Sequence, residues 1–195
     1  MINAVILSAG ESKRMGSPKA LLLFDGSTFL EHIISVLKRG PVDAITVVLG
    51  ANARTIRDSI DLSAANIVIN KNYRDGQLSS LIAGLDSLPP QSDAALVCLV
   101  DMPFITEQTV NTIISTFNQT HAPIVVPAFN GKRGHPVLFS KSVFEELRNA
   151  PPDQGARFVV NSNIDAVRCV ELPDEGIVIA INTPADYASR FGNHL

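Results

Sequence analysis

Apolar, β-branched runs alternate along the chain with segments whose apolar residues recur every three or four positions. The runs Ala4–Ser8, Ala44–Leu49, Ile67–Ile69, Ala94–Val100, Ile124–Pro127, Pro136–Phe139, Ala166–Val170 and Ile177–Ala180 read as strands. Several are apolar throughout, as in strands covered on both faces of a parallel sheet. Between them, Phe29, Leu30, Ile33, Ile34 and Leu37 form one helical stripe. Leu78, Leu81, Ile82 and Leu85 form a second, and Val110, Ile113, Ile114 and Phe117 a third. Thr28 with Glu31 makes a capping box for the first helix, Gly40 can stop it, and Thr106 can cap the third. The βαβα order predicts a mostly parallel sheet with right-handed crossovers. Asn130-Gly131, between two strand runs, predicts a hairpin and so one antiparallel excursion. Apolar patterning resumes directly after Pro89-Pro90 and Pro151-Pro152, so these read as surface connections within one α/β domain spanning residues 1–195.

Composition narrows the function classes. The chain has 195 residues, 46% hydrophobic and 18% charged, ample for a core and too apolar for disorder. Sixteen Lys and Arg against nineteen Asp and Glu give a net charge of −3. That balance argues against a nucleic-acid surface or a polybasic membrane anchor, and no apolar run is long enough to span a bilayer. The apolar start lacks a basic leader, so a cytoplasmic protein is expected. Cys98 and Cys169 lie inside apolar runs and read as buried thiols. One segment opposes the overall charge. Ala9–Ala20 holds Lys13, Arg14 and Lys19 against Glu11 alone, a local +2.

That segment follows the first strand, and ligands of such sheets bind beyond the strands' carboxyl ends. Its small residues let backbone amides approach an anion. Arg14 offers a planar fork and Lys19 a point charge. The spacing is neither a Walker A loop nor G-x-G-x-x-G. A solvated surface loop is the plain alternative. Asp101 stands where a buried run ends, suited to ligating Mg²⁺ or to capping a turn. Asn52, after the second strand, can reach a base or simply form a turn. His135 can bond an acceptor phosphate, act as a base, or pack beside the hairpin. His32 and His194 receive no role.

Leu7-Ser8-Ala9-Gly10-Glu11-Ser12-Lys13-Arg14-Met15-Gly16-Ser17-Pro18-Lys19 resembles the nucleotidyltransferase signature L-x-[AG]-G-x-x-x-R-M-G-x-x-K. Within that superfamily the chain resembles the molybdenum cofactor cytidylyltransferases. Asp101-Met102-Pro103 resembles the family's D-M-P. Asn70, Gly76, Ser80, Leu81, Gly84 and Leu85 match its N-x-x-x-x-x-G-x-x-x-S-L-x-x-G-L stretch. Gly131 to Phe139 resembles G-x-x-G-H-P-x-L-F, Gly155-Ala156-Arg157 its G-A-R, and Ile181 to Tyr187 its closing D-I-D-T-P-E-D-Y.

The resemblance implies a Rossmann-like three-layer fold of the nucleotide-diphospho-sugar transferase type. Residues 1–103 would bind nucleotide and residues 104–195 the acceptor. It implies that Leu7, Ser8, Ala9, Gly10, Asn70, Gly76 and Ser80 contact the nucleotide. Arg14 and Lys19 would hold the triphosphate and pyrophosphate, Asp101 metal and nucleotide, and His135 and Arg157 the acceptor. Ala180 and Asn182 replace the closing motif's two acids, which leaves Asn182 as an uncharged second metal ligand and Asp186 as a first-turn acid.

The expected reaction is Mg²⁺-dependent transfer from CTP to the phosphate of molybdopterin, with a molybdenum hydroxylase as candidate recipient of the product. The cytidylyl-type Ser8-Ala9-Gly10, rather than a guanylyl-type L-A-G-G, favours CTP over GTP. Two alternatives are another phosphorylated acceptor and a non-catalytic carrier of the mature cofactor. Asn182 favours the carrier; Arg14, Lys19 and Asp101 favour the enzyme.

Overall fold

The computed structural model describes residues 1–192, so His194 lies outside the described residues. Its strands are β1 (Ile2–Ser8), β2 (Leu23–Phe24), β3 (Ser27–Thr28), β4 (Ala44–Leu49), β5 (Asn66–Ile69), β6 (Ala94–Leu99), β7 (Ile124–Phe129), β8 (Lys132–Arg133), β9 (Val137–Ser140) and β10 (Val167–Glu171). Its helices are α1 (Phe29–Arg39), α2 (Ala53–Ser59), α3 (Gln77–Asp86), α4 (Glu107–Thr120), α5 (Phe144–Arg148), α6 (Ala156–Ser162) and α7 (Pro184–Phe191).

The main sheet runs β10-β7-β9-β6-β1-β4-β5, with β8 paired to β7. β1 pairs in parallel with both β4 and β6, β4 with β5, and β7 with β10. β9 is the antiparallel excursion, inserted between β6 and β7. The Asn130-Gly131 turn joins β7 to β8, with both residues at positive φ (50° and 74°), the backbone such a two-residue turn requires.

Alternate strand residues feed two cores. On one face Ala4, Ile6, Val47 and Leu96 meet Leu30, Ile33 and Leu37 of α1 and Val110, Ile113 and Phe117 of α4. On the other, Val5, Leu7, Val48 and Val97 meet Leu78, Leu81 and Leu85 of α3, with Leu147 of α5 and Val159 of α6. This is the expected three-layer sandwich. The Thr28 capping box is present: Thr28 Oγ1 accepts from the Glu31 amide (3.3 Å) and Glu31 Oε2 from the Thr28 amide (2.9 Å). A third cluster joins Met15, Leu22, Phe29, Ile181 and Tyr187, and the Tyr187 hydroxyl donates to the Leu23 carbonyl (3.0 Å). It ties the loop after β1 to α7.

Two expectations need correction. Ile177–Ala180 forms no strand; Glu175–Val178 is a 3₁₀ turn. Asp174 holds it down by accepting from Gly176 N (2.9 Å) and from the Thr109 hydroxyl (2.5 Å). A short apolar run cannot distinguish a strand from a packed turn. Cys169 is exposed, because β10 is an edge strand with only one neighbour. Cys98 is buried in β6, and burial pushes its thiol up to about 12.

Candidate active site

Strand order reverses at β1: the chain passes to β4 and β5 on one side, then to β6 on the other. A crevice opens at such a switch point, beyond the carboxyl ends. Here it is a cleft of about 470 Å³, whose lining includes Leu7, Ser8, Ala9, Gly10, Asn52, Gly76 and Ser80 together with Arg14, Lys19, Asp101 and Asn182.

The loop after β1 is built to aim Lys19. Ser12 adopts a left-handed backbone (φ 53°), its carbonyl accepts from Met15 and Gly16, and its Oγ accepts from the Lys19 amide (3.2 Å). Met15 anchors the loop in the aromatic cluster. Lys19 Nζ then donates to Asp101 Oδ2 (2.9 Å) and Asn182 Oδ1 (2.8 Å). Arg14 approaches the same Asn182 oxygen at 3.4 Å. The other loop cation, Lys13, is exposed and paired with Glu11, which also faces Arg74 (3.6 Å). Those partners hold the Glu11 carboxyl below its usual range, Lys13 foremost. Lys13 also lines the cleft, but it is paired with Glu11, whereas Arg14 and Lys19 face the Asn182 oxygen.

Backbone contacts position the two residues whose side-chain oxygens face Lys19. Ile181 N donates to the Asp101 carbonyl (2.7 Å). Asp186 Oδ2 accepts from Asn182 N (2.9 Å) and Thr183 N (2.8 Å), closing a capping box at the start of α7. These N–H groups hold the Asp186 carboxyl below its usual range, Asn182 foremost. Asp186 therefore presents Asn182 as well as capping a helix.

Asn70 does not line the cleft. It is buried below, where its Nδ2 donates to Ser79 Oγ (2.9 Å) and Ser80 Oγ (3.0 Å) and its Oδ1 accepts from Asn72 N (2.9 Å). Ser12, Tyr73 and Gln77 do line it, although no motif singled them out. His135 and Arg157 sit apart from the cluster, in a second cavity of about 760 Å³. Its walls include Leu78, Leu81, Val97, Val126 and Val137, with Arg133, Asp153 and Asn161 also on the lining. The two cavities share Leu7, Gln77 and Leu99, so they adjoin.

His135 Nδ1 is buried with no hydrogen-bond partner among the described residues. Burial pushes its pKa below the ordinary histidine value, against opposite pulls from the Val97 carbonyl and Asp101. His32 shifts the same way, mainly through burial. Between the lowered folded value and about 6.5, the unfolded chain binds more protons, so stability falls as pH drops through that window. His135→Gln should flatten the decline in melting temperature between pH 7 and pH 5. An unchanged slope would refute a buried neutral His135.

Asp101 and Asn182 supply hard oxygen donors that already converge on one cation, the Lys19 ammonium. That chemistry suits Mg²⁺, which takes one or two protein oxygens plus phosphate. Among the described residues, no group of three or more His, Cys, Asp or Glu forms a metal cage.

A Gly-containing loop, two cations and a carboxylate at the mouth of a doubly wound sheet suit a nucleoside triphosphate, and the family match makes the chain a nucleotidyltransferase. The chain belongs to the family of MobA-like NTP transferase domains, whose model matches residues 4–167. It is 28% identical over 186 residues to the nicotine blue oxidoreductase of Paenarthrobacter nicotinovorans, covering 89% of this chain and 88% of that protein. It is 26% identical over 189 residues to the molybdenum cofactor cytidylyltransferase of Escherichia coli K12, covering 95% and 93%. The crystal structure of Rv0371c from Mycobacterium tuberculosis superposes with a TM-score of 0.87 at 28% identity, covering 97% and 96%. A manganese complex of Rv0371c superposes at 0.83 with 27% identity, covering 100% and 99%. Among the described residues, no helix is long and apolar enough to cross a membrane.

Proposed function

We propose that the protein transfers the cytidylyl group of CTP to the terminal phosphate of molybdopterin in its molybdenum cofactor. One acceptor phosphate oxygen attacks the α-phosphorus. The bond to the bridging oxygen breaks, and pyrophosphate leaves with molybdopterin cytosine dinucleotide as the other product. The observation that carries this reading is the convergence of Lys19, Asp101 and Asn182 beside the loop after β1. The relative named a molybdenum cofactor cytidylyltransferase, similar along nearly the whole chain, supports the choice of acceptor and nucleotide.

An ionised phosphate is already nucleophilic, so no general base is required, and the work is positioning and charge neutralisation. Loop amides around Ala9 and Gly10 receive the triphosphate. Arg14 and Lys19 offset the charge that grows on the departing pyrophosphate. Asp101 and Asn182 would hold Mg²⁺, which supplies electrostatic stabilisation to the phosphate oxygens. Ser80 and Asn52, both on the cleft lining, receive the nucleoside on this reading. Asn70 acts from beneath by holding Ser79 and Ser80. The second cavity, with its apolar walls and with His135, Arg133 and Arg157, receives the acceptor.

The test is pyrophosphate release in the presence of Mg²⁺ and molybdenum cofactor, comparing CTP with GTP and ATP. Release should be at least tenfold faster with CTP. Faster release with GTP would replace cytidylyl by guanylyl transfer. No release with any of the three would remove the cofactor as the acceptor.

A further inference from the structure

We infer that Lys19 occupies the cation's seat in the nucleotide-free protein, so that the divalent ion and the triphosphate must enter together. This rests on the reading of Asp101 and Asn182 as the metal ligands. The Lys19 side chain is only 13% exposed, and its ammonium lies 2.9 Å from Asp101 Oδ2 and 2.8 Å from Asn182 Oδ1. Arg14 adds a second positive group at 3.4 Å from the Asn182 oxygen.

The backbones that carry the two oxygens are held without Lys19. Asp101 is fixed through its carbonyl by Ile181 N, and Asn182 through its amide by Asp186. A divalent ion would find the two residues already held side by side. It would also find a positive charge in its place. Mg²⁺ bonds oxygen at about 2.0–2.1 Å. With the ammonium on the same oxygens, two like charges would stand a few ångströms apart in a half-buried site, where repulsion is poorly screened. Vacating the seat requires Lys19 to find other anionic partners.

A triphosphate provides those partners within reach. Lysine is a point charge on a flexible stem, so Nζ can turn from the carboxylate to phosphate oxygens while the backbone stays on Ser12 Oγ. The exchange moves one charge and breaks no covalent bond. It makes the oxygen pair available only when a polyphosphate is present.

The experiment is a titration of protein-bound Mn²⁺ by electron paramagnetic resonance, with and without α,β-methylene-CTP. Wild type should bind Mn²⁺ weakly alone and at least tenfold more tightly with the analogue. Lys19→Met should bind Mn²⁺ at least tenfold more tightly than wild type when no nucleotide is present. Lys19→Gln provides the same reading if the methionine variant does not fold. Nucleotide-free affinity equal in wild type and the Lys19 variants would overturn the proposal. So would wild-type affinity that the analogue does not raise. Asp101→Ala separates the two readings: it should lose Mn²⁺ with and without analogue, and retention of wild-type affinity would refute the metal site itself.

Discussion

Asp101→Ala is expected to lower turnover by roughly three orders of magnitude, about 4 kcal/mol of transition-state stabilisation, while leaving the fold intact. The carboxylate stands just beyond β6, part-exposed, and its packing role is small. Its backbone carbonyl, which receives Ile181 N, survives the substitution. The lost ion pair with Lys19 is partly solvated (26% exposure on the Asp101 side), so its contribution to stability is about 1 kcal/mol or less. Asp101→Asn should be nearly as inactive, because it keeps the shape and removes the charge. Steady-state pyrophosphate release and a thermal melt decide the matter. Wild-type turnover in either variant would take Asp101 out of the mechanism.

The second large effect is expected from Gly134→Ala. A Cβ on Gly134 would lie 2.2 Å from the Ile177 carbonyl oxygen, an impossible contact with backbone. The next residue, His135, donates its amide to that same oxygen at 2.9 Å. The 3₁₀ turn therefore cannot retreat without losing the bond, and Asp174 pins its start to α4. We expect a loss of about 2–3 kcal/mol, or roughly 4–12 °C in melting temperature for a chain of this size. Turnover should fall too, because residues 177–181 lead directly into Asn182. A melting temperature within a degree of wild type would show that the turn yields freely.

Much of this arrangement is legible from residues alone. The largely apolar runs of β1, β4 and β6 announce a doubly covered parallel sheet, and Thr28 with Glu31 marks the start of α1. Loop cations after the first strand and a carboxylate after a buried strand converge because a parallel sheet brings successive carboxyl ends to one edge. What stayed hidden depends on contacts distant in the chain. Nothing local says that Cys169 is on an edge strand, or that Ile177 packs as a turn. Asn70 carries a motif position yet works from below, since its neighbours Ser79 and Ser80 are reached only once α3 folds back. Ser12 gave no signal because a left-handed serine is a property of backbone geometry.

The direction of β9 has a further consequence. In a parallel strand the loop at the carboxyl edge follows the strand; here residues 130–136 precede β9 and still reach that edge. On the proposed reading, transfer chemistry and acceptor identity are then written in separate stretches of chain. Only residues 130–133 are open to exchange without shifting the register of β1, β4 or β6, because Gly134 and His135 are packed on the Ile177 carbonyl. An engineer seeking a different acceptor would graft there, and would leave residues 7–20, 99–103 and 134–135 as they are.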